Sequence, residues 1–236
     1  MSWREAAEQH AATEAPREAC GLVVIIKGRE RYWPCRNLAV GTDQFVLDPV
    51  DYAAADDAGD IMTVVHSRPS TPAEPSQADR VSCEASGLPW LVYGVQAQRW
   101  AYMEPSGYQA PLVGREWSHG VLDCYSLIRD WFRIERGLVL PNFERRDEWW
   151  LAGGNLYLEN FRAAGFVEID PADIQPGDGI LMRVMSPVPN HGAVYLGDNK
   201  IIHHVQGRLS CRDNYTEFWR QRTTQVVRHE NDRTTG

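Results

Sequence analysis

Three side chains in the second half of the sequence have the types and spacing of an acyl-transfer site. Cys124 begins a stretch with apolar residues at Leu127, Ile128, Trp131 and Phe132, one face of a helix, and Gly137 supplies a stop. A thiol at a helix start faces unpaired backbone N–H groups and the positive end of the helix dipole, so the position predicts a lowered thiol pKa. Cys124 should then alkylate below about pH 8 while the other cysteines stay inert. His191 opens the apolar run 192–196 and His203 lies on the run 200–205, with Gly197-Asp198-Asn199 as the turn between them. On the two strands of a hairpin the imidazoles can face each other, giving a nucleophile, a base and an orienting group for chemistry through a thioester. Taken singly, each residue has a plainer reading, because a free Cys is often a small buried hydrophobe and a strand His a satisfied polar group.

The elements that must carry these residues follow from periodicity. Helices over 123–136 and 155–164 followed by short strands at 179–184, 192–196 and 200–205 predict an α+β unit over 115–228, with a polar tail at 229–236. Residues 1–103 alternate differently: a helix, a buried strand at 22–26, a helix at 50–59 and a strand at 61–65 predict an α/β unit. Between the units, residues 104–114 hold two Pro, two Gly and a Ser among few apolar residues, the composition of a linker.

Composition removes several functions. The 236 residues carry 24 Lys and Arg against 32 Asp and Glu, a net charge of −8, which argues against a nucleic-acid partner. The longest apolar runs are far short of the roughly 20 residues needed to cross a bilayer, so no transmembrane segment is predicted. The charged N-terminus lacks the apolar core of a secretory signal, which predicts a chain made and kept in the cytosol unless a larger assembly exports it. Five cysteines, at 20, 35, 83, 124 and 211, are odd in number and form no Cys-x-x-Cys pair, so neither a disulfide framework nor a four-thiolate zinc site is indicated; apart from Cys124 they read as packing residues. Arg208, Arg212, Arg220 and Arg222 make the late segment basic, most simply a solvated face.

Four blocks, in order, resemble the NlpC-type cell-wall peptidases: Trp117-Ser118-His119-Gly120-Val121-Leu122-Asp123-Cys124-Tyr125-Ser126-Leu127, Pro176-Gly177-Asp178, Asn190-His191-Gly192-Ala193-Val194-Tyr195-Leu196-Gly197 and Ile201-Ile202-His203. The resemblance implies a papain-like α+β fold and hydrolysis of peptidoglycan stem peptides, typically between D-glutamate and diaminopimelate. It matches Cys124 to the nucleophile, His191 to the base and His203 to the orienting residue. Tyr125-Ser126 stands where the family usually has Ser-Gly, which makes the first helical turn bulkier. His204 should point to the opposite strand face, and His119 is a weaker candidate for the cleft. Of Trp117, Trp131, Trp149, Trp150 and Trp219, some are candidates for a saccharide platform and most for core.

The first half is similar to the JAMM/MPN metallopeptidases, which implies an α/β, cytidine-deaminase-like fold. Their signature is His-x-His, ten residues, then Asp, with a distant Glu as base. Here His66 and Asp79 match, Ser76 and Glu18 lie at the expected places, and the strand signal Leu88-Pro89-Trp90-Leu91-Val92 follows. Position 68, however, holds Arg, which has no lone pair and keeps its charge at any reachable pH. A three-ligand zinc site cannot form as drawn, so no cofactor and no metallopeptidase activity are expected of this unit. Arg68 is instead expected to pair with Asp79 or Glu18. The order JAMM-like then NlpC-like is similar to lambda-type phage tail-tip assembly proteins, which implies tail-tip or hub proteins as partners and peptidoglycan as substrate. The competing expectation is a catalytically silent structural component of the distal tail.

Overall fold

The computed structural model describes residues 1–146 and 148–232, and it divides into two compact units, Met1–Gln109 and Ala110–Gly236. The first runs α1 (Trp3–Glu14), β1 (Cys20–Ile26), β2 (Arg29–Cys35), α2 (Pro49–Ala58), β3 (Asp60–Arg68), α3 (Gln77–Ser86), β4 (Trp90–Gly94) and β5 (Arg99–Met103). Its five strands lie in the order β2-β1-β3-β4-β5, with β3 and β4 parallel and the other pairs antiparallel. The parallel pair requires a crossover, and α3 supplies it. Alternation along the central strands sends Leu22, Val24, Val64 and Val92 to one face with Ala55 of α2 and Cys83 of α3, and Val23, Val65 and Leu91 to the other with Ala7 of α1. Both faces of the sheet are thus covered by helices.

The second unit runs α4 (Cys124–Arg136), α5 (Leu156–Asn160), β6 (Phe166–Ile169), β7 (Gly179–Met182), β8 (His191–Gly197), β9 (Lys200–His203), β10 (Cys211–Asn214), α6 (Glu217–Arg220) and β11 (Thr223–His229). Its six strands are all antiparallel, in the order β10-β9-β8-β7-β11-β6. Leu127, Ile128, Trp131 and Phe132 of α4 pack on Leu181, Val194, Ile202 and Val227. The alternate residues Ile180, Met182, Ala193 and Ile201 face Tyr215 and Trp219. Among the described residues no helix is long and apolar enough to cross a membrane.

Three expectations change. The helix predicted over 155–164 shortens to Leu156–Asn160, and the chain continues in turns up to Gly165, which adopts φ +87°. His229 ends β11, buried against Phe132 and Phe166, so the predicted polar tail does not begin there; residues 233–236 lie outside the described residues. Cys211 is exposed and not a packing residue, since it lies on the edge strand β10, whereas Cys20, Cys35 and Cys83 are buried.

The turn before β7 is fixed by Asp178, whose carboxylate takes a bidentate pair from Arg228 of β11 at 2.8 and 2.7 Å and also accepts from the Gln175 backbone N–H at 2.6 Å. Because Asp178 is only 2% exposed, Asp178→Ala should lower the unfolding free energy of the second unit by about 3 kcal/mol, read from urea denaturation.

Candidate active site

The first turn of α4 is organised by Asp123. Its carboxylate accepts from Ser126 N at 2.8 Å, Ser126 Oγ at 2.9 Å, Gly120 N at 3.0 Å and Arg145 Nε at 2.7 Å. Burial opposes its ionisation, but Arg145 and the Ser126 donors hold its pKa below the usual carboxylate value. Arg145 also donates to the carbonyls of Gly120 at 2.9 Å and Phe143 at 2.6 Å, tying the segment before α4 to the long connection after it. Cys124 therefore leaves this cap in one fixed direction, into a cavity of about 480 Å³. Trp117, His119, Trp149, Trp150, Tyr157 and His191 help to line it, while Trp131 and Trp219 are core.

The Cys124 sulfur lies 3.2 Å from the Tyr157 hydroxyl, and the Gly192 N–H points at it. Gly192 is needed here: a Cβ would come within 2.7 Å of Ile128 Cδ1 and 2.9 Å of the Tyr157 hydroxyl. Burial and then the neighbouring Asp123 carboxylate push the Cys124 thiol up to about 11, against the opposing pull of Tyr157, Gly192 and Arg145. This corrects the expectation from position alone. The helix start offers N–H groups, but the sulfur is enclosed and sits next to a buried anion, so the resting group is a thiol.

His191 and His203 come together as a pair, with His191 Nε2 3.1 Å from His203 Nδ1. The register that does this is Ala193 opposite His203 across β8 and β9, closed by a turn in which Asp198 and Asn199 take φ +49° and +57°. Trp219 packs against both rings. On the far side, His203 Nε2 lies 3.8 Å from Asp213 Oδ2, and that carboxylate also accepts from Trp219 Nε1 at 3.1 Å. The two imidazoles share one hydrogen bond whose direction depends on the tautomer; the Asp213 carboxylate on the Nε2 side of His203 favours the form in which His191 Nε2–H donates. Burial, then the neighbouring imidazoles, bring His191 down to about 3, and burial brings His203 to about 4 despite Asp213. Both rings are neutral near pH 7. His204 turns away, with Nε2 3.1 Å from the Arg208 carbonyl and its ring edge-on to Trp117, and His119 Nε2 lies 3.1 and 3.0 Å from the carbonyls of Arg145 and Arg146.

In the first unit, Glu18, His66, Arg68, Ser76 and Asp79 also meet. His66, on β3, is stacked under Phe45, with Nδ1 3.2 Å from Glu18 Oε2 and Nε2 3.3 Å from Asp79 Oδ1. Arg68 Nη2 donates to Asp79 Oδ2, and Nη1 lies 3.8 Å from Glu18 Oε1. Ser76 caps α3, accepting from Asp79 N at 3.1 Å while its own N–H donates to Asp79 Oδ2 at 2.7 Å. Burial resists ionisation of Asp79, but His66, Arg68 and Ser76 outweigh it and hold the carboxyl well below the usual range.

Sequence reading did not find Tyr157, Arg145, Asp213 or Phe45. Arg145 and Phe45 lie in stretches without periodic signal, and Tyr157 reads simply as an apolar position of a short helix.

The comparisons agree with this two-part construction. Residues 2–104 match the family of prokaryotic homologs of the JAB domain, and residues 112–228 match the NlpC/P60 family. The fold and the Cys-centred cavity therefore define a JAB-type α/β unit followed by an NlpC/P60 papain-like unit. Over 227 residues the chain is 37% identical to the tail tip assembly protein K of Escherichia phage N15, covering 95% of this chain and 93% of that one. Over 184 residues it is 39% identical to the protein of the same name from Escherichia phage lambda, covering 78% and 89%. The chain belongs to the tail tip assembly protein K family. Two solved structures overlap more loosely. A protein from Desulfitobacterium hafniense has a TM-score of 0.36 at 27% identity, over 42% of this chain and 76% of that one. An NLP/P60-family, lipoprotein-like protein from Staphylococcus aureus has 0.33 at 16% identity, over 95% of this chain and 60% of that one.

Two outcomes follow from the electrostatics. Alkylation near pH 7 of the isolated chain, mapped by peptide mass spectrometry, should label exposed Cys211 first and Cys124 slowly, with the Cys124 rate still rising above about pH 9. His191 and His203 titrate below their unfolded value, so the unfolded state binds more protons between about pH 3 and 6.5. Their contribution to stability is present above that window and lost as pH falls through it. Hydrogen exchange should show protection of β8 and β9 falling over this range.

Proposed function

We propose that the second unit is a cysteine endopeptidase that cuts stem peptides of peptidoglycan. The observation that supports this best is the His191–His203 pair, with a neutral His191 on the wall of the cavity that Cys124 also lines. His191 Nδ1 takes the thiol proton as the sulfur attacks the scissile carbonyl, and the first free N–H groups of α4 receive the oxyanion. The same proton passes from His191 to the leaving amine, leaving a thioester at Cys124. Water, deprotonated by His191, hydrolyses the thioester to the carboxylate and restores the thiol. His203 keeps the His191 ring in the competent tautomer.

The family name gives the setting of this chemistry. The protein would be made in the host cytoplasm, join other tail-tip or hub proteins of a phage tail, and act at the bacterial cell wall during entry or tail assembly. No cofactor is needed for the thiol route. A second reading, a catalytically silent component of the distal tail, is favoured by one observation: the Cys124 thiol is raised to about 11 and covered by the Tyr157 hydroxyl.

Digestion of purified peptidoglycan, with fragments identified by mass spectrometry, separates the two. Wild type should release stem-peptide fragments, Cys124→Ala and His191→Ala none, and His203→Ala should lower kcat without abolishing release. No release by folded wild-type protein, alone or in assembled tails, would favour the silent component.

A further inference from the structure

The cluster at Glu18, His66, Arg68 and Asp79 is buried and charged, and the chemistry assigned to the second unit does not use it. Glu18, His66 and Asp79 are 3, 1 and 6% exposed. Two carboxylates this deep are costly unless cations balance them. In a JAB-type unit a zinc ion would do so, but the residues present do not fit one. Of the ligand positions only His66 and Asp79 carry donors, and among the described residues no group of three or more His, Cys, Asp or Glu side chains is arranged to hold a metal. Glu18 is turned to the Nδ1 side of His66, away from Nε2, which faces Asp79.

A guanidinium stands at this place beside the His66 imidazole, whose burial is outweighed by Asp79 and Glu18 so that it is held up to about 9. Arg68 ends β3 two residues after His66, so both side chains emerge on the same strand face. It reaches both carboxylates, Asp79 through Nη2 and Glu18 through Nη1. The Ser76 N–H takes up the same Asp79 oxygen, so this oxygen is already shared between two donors. Phe45 stacks on His66 with ring centroids 4.7 Å apart and closes the imidazole from outside.

We propose that Arg68 is a built-in replacement for the metal ion: its guanidinium bridges Asp79 and Glu18, adds a permanent positive charge beside His66, and makes the first unit independent of metal. The lost metal and the intact thiol site are then separate facts, since nothing in this inference rests on the activity of Cys124.

The test measures metal content and thermal unfolding of the full chain purified from zinc-supplemented culture. Wild type should carry less than about a tenth of a zinc per chain, and its melting temperature should not move with EDTA or added zinc. Arg68→His restores the His-x-His pair. It should bind about one zinc per chain, with a melting temperature that rises with zinc, and Asp79→Asn on that background should remove the zinc. Arg68→Leu should shift the unfolding equilibrium at least about tenfold toward the unfolded state. Stoichiometric zinc in wild type, or a chelator-sensitive melting temperature, overturns the proposal whatever the variants do. So does an Arg68→His protein that folds but takes up no zinc, or an Arg68→Leu protein as stable as wild type.

Discussion

The carboxylate of Asp123 is the point on which the second unit turns. It caps α4, accepts four hydrogen bonds, and is anchored by Arg145, which in turn holds the segments on either side of the helix. Helix starts leave N–H groups without partners, and here one side chain satisfies a donor of the first turn while the Arg145 cation balances its charge. That arrangement decides where the Cys124 sulfur points and keeps the first turn rigid enough to present it. It also sets a cost, because the Asp123 anion opposes formation of a thiolate at Cys124.

Two opposing fields thus meet at Cys124. The helix start, Gly192 N–H and Tyr157 hydroxyl favour the thiolate, while burial and Asp123 favour the thiol, and the second set wins in the resting protein. The imidazoles resolve the difficulty from the other side. Burial keeps both uncharged, and the two rings are hydrogen-bonded to each other with Asp213 on the far side of His203. In the proposed reaction, a neutral thiol and a neutral imidazole lining one cavity call for proton transfer during attack and no preformed ion pair. In the first unit the buried Glu18 and Asp79 carboxylates share two cationic side chains, Arg68 and His66.

Much of this was legible in the sequence because it rests on short-range rules. The α4 face follows from helical spacing, its start from an Asp before an apolar run, and the meeting of His191 and His203 from a hairpin whose turn residues tolerate positive φ. The order of the two family types followed from resemblance, and the pairing of Arg68 with Asp79 or Glu18 from the one residue that departs from the motif. What was not legible depends on residues distant in sequence. The thiol pKa was misjudged because position on a helix says nothing of enclosure, and the enclosing groups, Tyr157 and the Trp149 and Trp150 segment, lie 25 or more residues away along the chain. Arg145, 22 residues from Asp123, is equally invisible to any periodic pattern.

The most direct test of the central claim, that Cys124 attacks with His191 as its base, is a single-turnover experiment with enzyme in excess over a purified muropeptide. After acid quenching, peptide mapping would look for the acyl half of the stem on a cysteine. The account predicts a transient thioester on Cys124 alone, formed more slowly in His191→Ala. Cleavage with the acyl group on any other residue, or no adduct in either the isolated chain or assembled tail tips, would contradict it.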